Sequence, residues 1–237
     1  MRRPRRPTHH AHPMPPKADT DRRLLLRQAR VRRLVGLYAV TPDIVDTATL
    51  VARVEAALAG GASAIQYRSK FAHTPLKRAQ AAELARVSAA RGGLFIVNDD
   101  AGLTVAVDAD GVHLGEDDGS VAAAREIVGH ERIIGVSCYN RFELAESAVA
   151  AGADYIAFGS FFASSVKPDA RRAGIDLLVR AATLGVPVVA IGGITLENAG
   201  ELVRAGADAV AVISAVFGES NPAAVERAAR AIVAACR

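Results

Sequence analysis

The chain has 237 residues, 51% of them apolar and 23% charged, which is material for one large domain or two small ones with a proper core. No stretch approaches eighteen consecutive apolar residues, so a membrane-spanning helix is excluded, and Cys138 and Cys236 alone make neither a disulfide framework nor a thiolate metal site. Two isolated cysteines suit a reducing compartment, and a cytoplasmic location is expected.

The net charge of +4 is unevenly placed. Residues 1–33 hold ten Arg and one Lys against Asp19 and Asp21, a local +9, which leaves −5 for the rest. This segment is rich in Pro and His and shows no apolar period before Leu24, so residues 1–33 read as a disordered basic tail and 34–237 as the folded domain. Three roles stay open for the tail: a dispensable extension, a tether to phosphate backbones, or a targeting segment lacking the usual serines.

From Leu34 onward, short β-type runs alternate with Ala-rich amphipathic stretches. The runs are 36–40, 64–67, 94–97, 112–114, 133–136, 155–158, 188–191 and 209–213. Helices are predicted between them, centred on Val51, Ala82, Leu103, Ala123, Ala145, Leu178 and Leu202, and a last one over 222–235. The triplets Gly61-Ala62-Ser63, Asp108-Ala109-Asp110, Gly152-Ala153-Asp154 and Gly206-Ala207-Asp208 introduce the second, fourth, sixth and eighth runs. An open sheet has no reason for this alternation; a closed barrel, whose interior is layered from alternate strands, does. Eight βα units in about 200 residues predict an α/β chain folded as a single (β/α)8 TIM barrel.

Chemistry in that fold sits at the C-terminal ends of the strands. Polar residues cluster there: Thr41 and Asp43, then Gln66, Arg68 and Lys70, then Asn98 and Asp99, then Glu116 to Asp118, then Ser137. Acidic residues after a strand can simply start the next helix, or they can hold a hard cation. Residues two apart on a strand end face one way, so Gln66, Arg68 and Lys70 present an amide, a guanidinium and an ammonium together, a set suited to a diphosphate. Gly192-Gly193 lies after the seventh run, where this fold commonly binds phosphate on backbone N–H groups, and Ser214 follows the eighth. The loop 159–167 carries hydroxyls and Lys167, which can close over a ligand. Mg²⁺ is held by one or two carboxylates plus substrate phosphates, so Asp99 and Asp118 beside Arg68, Lys70 and Lys167 read as a Mg²⁺–diphosphate site, with Gly193 and Ser214 as a monophosphate site. Two phosphorylated small molecules joined with diphosphate as leaving group is the reaction such a pair of sites implies.

The strings YAVTPD, IQYRSK, FIVNDD, GVHLGEDD, GVSCY, GADYIAFGSFF, AIGGIT and VISA, in this order, closely resemble the thiamine phosphate synthase family from Leu34 to the C-terminus. The resemblance implies condensation of 4-amino-5-hydroxymethyl-2-methylpyrimidine diphosphate with a thiazole monophosphate, releasing diphosphate. By matching position it implies that Gln66, Tyr67, Arg68, Ser69, Lys70, Asn98, Ser137 and Lys167 hold the pyrimidine diphosphate, with Arg68, Lys70, Lys167 and Ser137 in the catalytic set. Asp99 and Asp118 are then the Mg²⁺ ligands, and Ser164, Ser165, Val166, Gly193, Ile213 and Ser214 hold the thiazole phosphate. Two departures stand out: Val166 replaces a family hydroxyl, and Glu116 replaces a common Gln, adding a charge that either strengthens the cation site or points outward. Cys138 is expected to pack and His113 to line the barrel. A thiazole tautomerase on the same fold would need no diphosphate–Mg²⁺ set; a non-catalytic phosphate-binding barrel would need neither Asp99 nor Lys167. The expected partners are small-molecule substrates, with no membrane, no nucleic acid, and homo-oligomerisation left open.

Overall fold

The computed structural model describes residues 17–163 and 172–237. Eight parallel strands close into one barrel in sequence order: β1 (Gly36–Val40), β2 (Ala64–Tyr67), β3 (Leu94–Asn98), β4 (Gly111–Leu114), β5 (Ile133–Tyr139), β6 (Tyr155–Gly159), β7 (Val188–Ile191) and β8 (Ala209–Val212). Helices α1 (Lys17–Val31), α2 (Thr47–Ala59), α3 (Thr74–Arg91), α4 (Ala101–Ala106), α5 (Val121–Val128), α6 (Phe142–Ala150), α7 (Asp176–Ala181), α8 (Leu196–Arg204), α9 (Ser214–Phe217) and α10 (Pro222–Ala235) accompany them. The predicted runs and helices are among these elements, to within a residue or two for most strands; β5 alone extends three residues further, and α1 and α9 have no counterpart among the predicted helices.

Strand alternation sorts the side chains into two cores. Leu37, Ile65, Phe95, Val112, Ile134 and Ile156 face outward and are sealed by the apolar faces of the helices. Tyr38, Ala64, Ile96, Ile133, Tyr155 and Ala209 face inward and fill the barrel. The interior is crowded enough to demand one glycine: a Cβ at Gly135 would fall inside the ring of Tyr155, its neighbour across the β5–β6 pair.

The repeated triplets have a physical reason beyond layering. Asp110, Asp154 and Asp208, each just before an even-numbered strand, accept a hydrogen bond from the backbone N–H of Phe95 (2.9 Å), Ile134 (2.8 Å) and Val188 (2.8 Å) respectively. Each carboxylate therefore pins the start of the preceding odd-numbered strand. Ser63 does the equivalent job for β1 by donating to the Leu37 carbonyl at 3.1 Å. The alanine of each triplet is buried beneath a helix.

Part of the segment 1–33 departs from the expectation of disorder. Residues 17–31 form α1, which crosses the N-terminal end of the barrel. Arg30 Nε donates to Asp110 at 2.7 Å and its Nη1 to the Glu131 carbonyl at 2.7 Å, while Arg27 pairs with Asp154 at 3.3 Å. Val31 and Leu34 pack against the interior core from below. The prolines that suggested disorder all lie at or before Pro16, so a composition averaged over 33 residues concealed a proline-free helix with barrel aspartates as partners. Residues 1–16 lie outside the described part.

Candidate functional site

The strand C-termini surround a cavity of about 590 Å³, within the range of small-molecule sites. Gln66, Arg68, Asn98, Asp99 and Ser137 line one side, and Gly193, Ile213 and Ser214 the other. The structure thus brings eight of the residues singled out in the sequence into one cavity, while Lys70 and Asp118 are not among the residues that line it.

The cation-bearing strand end is clamped from β1. The Thr41 hydroxyl donates to the Arg68 carbonyl at 3.2 Å and accepts from the Arg68 N–H at 3.0 Å. Asp43 accepts from the Lys70 N–H at 2.7 Å. These bonds fix the direction in which the backbone presents Arg68 and Lys70. Two neighbours do not reach the mouth through their side chains. Tyr67 points outward, as strand alternation requires, and donates to Gln80 on α3 at 2.8 Å. Gln80 in turn donates to the Ile44 carbonyl at 2.8 Å, tying down the β1–α2 loop. The Ser69 hydroxyl accepts from the Ala72 N–H at 3.2 Å and so shapes a turn.

Of the acidic cluster after β3, only Asp100 plays the helix-starting part: it accepts from the Leu103 N–H at 2.7 Å at the start of α4. Asp99 has a left-handed backbone (φ 67°) that turns it away from that role. Burial and the Asp118 charge push the Asp99 carboxyl up to about 6, partly offset by Arg68 and Lys77. Asp118 is held by the Gly115 N–H at 2.7 Å. Glu116 is drawn to Arg141 at 2.8 Å and is exposed, so its charge is spent on an outer ion pair and adds nothing to the carboxylate pair.

The glycine loop after β7 is built for close approach. Gly192 (φ 103°) and Gly193 (φ 66°) both have left-handed backbones, and a Cβ at either would strike the strand-six end at Ser160 or Ala163. On the far side, Arg53 of α2 donates to the carbonyls of Phe217 and Glu219, the latter at 2.7 Å, anchoring the C-terminal end of α9, the helix that begins at Ser214. Ser164, Ser165, Val166 and Lys167 lie outside the described residues.

Sequence reasoning missed the barrel floor. Gln66 donates to the Tyr38 hydroxyl at 2.9 Å; Tyr38 and Tyr155 share a bond of 2.9 Å; His113 Nδ1 meets the Tyr155 hydroxyl at 3.0 Å; and His113 Nε2 meets Ser137 Oγ at 2.9 Å. The signal was present in strand parity, since Tyr38 and Tyr155 share the inward register of Gln66 and His113. Burial lowers the His113 imidazole to about 4 and pushes the Tyr155 hydroxyl well above its ordinary value. Cys138 packs in the outer core, as expected, and burial raises its thiol to about 12.

A closed parallel barrel with Asp99, a clamped Arg68 and a glycine loop around one mouth defines the class: a (β/α)8-barrel protein with a single charged cavity at the C-terminal ends of its strands. A family model described as thiamine monophosphate synthase matches residues 37–216. The chain is 55% identical over 196 residues to the thiamine-phosphate synthase of Chromobacterium violaceum, covering 83% of this chain and 95% of that one. It is 55% identical over 182 residues to that of Methylobacillus flagellatus, covering 77% and 87%. A solved thiamine phosphate pyrophosphorylase from Pyrococcus furiosus superposes with TM-score 0.76 at 37% identity, over 88% of this chain and 97% of that one. The chain belongs to the thiamine monophosphate synthase family. Helix α1 precedes the residues that the family model matches.

Proposed function

We propose that the protein, a transferase of this family, joins 4-amino-5-hydroxymethyl-2-methylpyrimidine diphosphate to a thiazole monophosphate, giving thiamine monophosphate and diphosphate. The observation that carries the reading is the convergence in one cavity of Arg68 and Asp99 with Gln66 and Ser137, opposite Gly193 and Ser214. Gln66, Arg68, Lys70, Asn98, Ser137 and Lys167 take the pyrimidine diphosphate in this reading. Gly193, Ile213 and Ser214, with the loop 164–166, take the thiazole phosphate. Tyr67 and Ser69 act through their positions in the backbone, their side chains being engaged elsewhere.

The donor set suits Mg²⁺. Asp99 and Asp118 form a pair that resists carrying two charges unaided, which a divalent cation relieves, and the other ligands would be phosphate oxygens and water. Bound there, Mg²⁺ would supply charge neutralisation at the diphosphate. Arg68 adds its own positive charge: a unit pair at 4 Å is worth about 4 kcal/mol at an effective dielectric of 20. Such stabilisation counts most as the C–O bond breaks and negative charge collects on the leaving group. The electron-rich aminopyrimidine carries the complementary positive charge, and the thiazole nitrogen captures the exposed methylene carbon. That nitrogen has a free lone pair, so no general base is required. The state of His113 agrees: it is buried, its imidazole is lowered to about 4, and both its nitrogens are occupied by Tyr155 and Ser137.

The decisive assay is diphosphate release from the pyrimidine diphosphate, with and without thiazole phosphate and Mg²⁺. Release that requires all three, matched by thiamine monophosphate, is expected. Absence of release, with thiazole isomerisation in its place, would make the protein a tautomerase.

A further inference from the structure

Asn198 lies in the first turn of α8, behind the glycine loop, and is not among the residues that line the cavity. Its side-chain amide makes two bonds. Oδ1 accepts from the Thr195 N–H at 2.8 Å, and Nδ2 donates to the Gly193 carbonyl at 3.2 Å. Both partners are backbone groups, one able only to donate and the other only to accept, so the orientation of the amide is fixed. The first bond starts the helix. The second reaches back beyond it, to the residue whose left-handed backbone (φ 66°) turns the loop.

A trans peptide is planar, and its C=O and N–H point in opposite directions. Holding the Gly193 carbonyl toward Asn198 therefore sends the Ile194 N–H the other way. The preceding peptide is held in the same manner: the Gly192 carbonyl accepts from the Phe162 N–H at 3.0 Å, which orients the Gly193 N–H. Gly193 and Ile194 line the cavity, whereas Asn198 and Phe162 do not. Among the described residues neither of these two N–H groups has a backbone hydrogen-bond partner. The Thr195 N–H, taken by Asn198, is withdrawn from the set. Two adjacent donors thus remain for an anion, aimed by two carbonyl bonds on their far side.

We propose that Asn198 is a positioning residue for the phosphate of the thiazole substrate, holding the 193–194 peptide with its N–H, and not its carbonyl, toward the ligand. The need for such a restraint follows from glycine. Gly193 has no Cβ to hinder rotation of that peptide. A Cβ there would strike the carbonyls of Phe162 and Ala163, so the turn cannot be stiffened by a side chain of its own. Rotated, the peptide would present a carbonyl oxygen to a phosphate oxygen. The inference rests on the reading that the thiazole phosphate binds at Gly193 and Ser214.

Asn198→Asp separates the two bonds. A carboxylate still accepts from the Thr195 N–H and suits a helix N-terminus, so α8 and the melting temperature should be kept, but it cannot donate to Gly193. Asn198→Ala removes both bonds without adding charge. In steady-state assays each should raise the KM for the thiazole phosphate by about tenfold or more, the usual scale for lost hydrogen bonds to a charged group. The KM for the pyrimidine diphosphate should stay within about twofold, and kcat at saturating thiazole phosphate within about threefold, because binding and not the chemical step is affected.

A purely structural role would not produce that split. A normal thiazole phosphate KM in Asn198→Asp, with a loss in Asn198→Ala, would make Asn198 a helix cap only and overturn the proposal. A parallel rise in both KM values would overturn it too. If Asn198→Ala does not fold, the KM of Asn198→Asp relative to the unaltered protein is followed at rising salt. A missing hydrogen bond leaves that ratio high, whereas simple charge repulsion is screened away and overturns the proposal. Ser214→Ala separates this inference from the reading beneath it. If it raises the thiazole phosphate KM and the Asn198 variants do not, only the proposal falls. If none of the three raises it, the phosphate does not bind at this loop and both fall.

Discussion

Replacing Gly135 with Ala tests whether the floor is as rigid as its bonding implies. The added methyl would fall inside the Tyr155 ring, so the ring or β5 must move. The ring has little freedom, being fully buried and tied through its hydroxyl to Tyr38 at 2.9 Å and His113 at 3.0 Å. Overpacking a filled core costs about 1–3 kcal/mol. Displacing the ring also sacrifices two hydrogen bonds at about 1 kcal/mol each. The expected loss is about 3–5 kcal/mol, or roughly 6–20 °C in melting temperature for a domain of this size. Urea unfolding with an unchanged m-value would measure it. Because the clash is with one ring, Gly135→Ala combined with Tyr155→Leu should be far less destabilised than the two single changes summed, the mark of directly coupled sites. A loss below about 1 kcal/mol for Gly135→Ala, or simple additivity in the double variant, would refute the locked-ring reasoning.

Arg68→Ala and Asp99→Ala should each lower turnover by about 10²-fold or more while leaving the melting temperature within a few degrees, because one removes charge stabilisation of the leaving group and the other a cation ligand; near-normal turnover in either would remove that residue from the mechanism. The raised Asp99 carboxyl has a stability signature. Native Asp99 takes up its proton near pH 6 while in the unfolded chain it does so near 3.8, so the associated stability is present below about pH 4 and is lost as the pH rises through 6. Asp99→Asn should therefore gain stability over the unaltered protein as metal-free samples are taken from pH 4 to 8; the opposing effect of His113 is common to both proteins and cancels. A pH-independent difference in their melting temperatures would show that Asp99 is not strained. Arg30→Ala removes a half-buried bond to Asp110 and one to the Glu131 carbonyl, and chemical denaturation should show a loss of about 1.5–3 kcal/mol, against none if α1 does not brace the barrel.

Much of the molecule was legible in one dimension because its determinants are local. Strand runs, the Ala-rich helices between them and the glycines and aspartates before the even-numbered strands each report short-range backbone and burial requirements. Eight repetitions of one unit leave a closed barrel as the economical solution. The same locality exposed the mouth, since in this fold the residues just after each strand share one rim. Gln66, Arg68, Asn98, Asp99, Ser137, Gly193 and Ser214 could thus be assembled before any contact was known.

What only the tertiary structure decided depends on partners distant in the chain. Whether Glu116 faces a cation or turns outward is settled by Arg141, 25 residues away. Whether Tyr67 serves a ligand or a helix is settled by Gln80 on the outer layer. Residues 17–31 look unremarkable beside their basic neighbours until Asp110 and Asp154 are placed beneath them to receive Arg30 and Arg27. The floor chain is the extreme case: Tyr38 and Tyr155 are 117 residues apart and read locally as ordinary strand aromatics. Periodicity says which way a side chain points, but closure of the sheet brings opposite strands together, and only that closure turns two inward tyrosines into one hydrogen-bonded path.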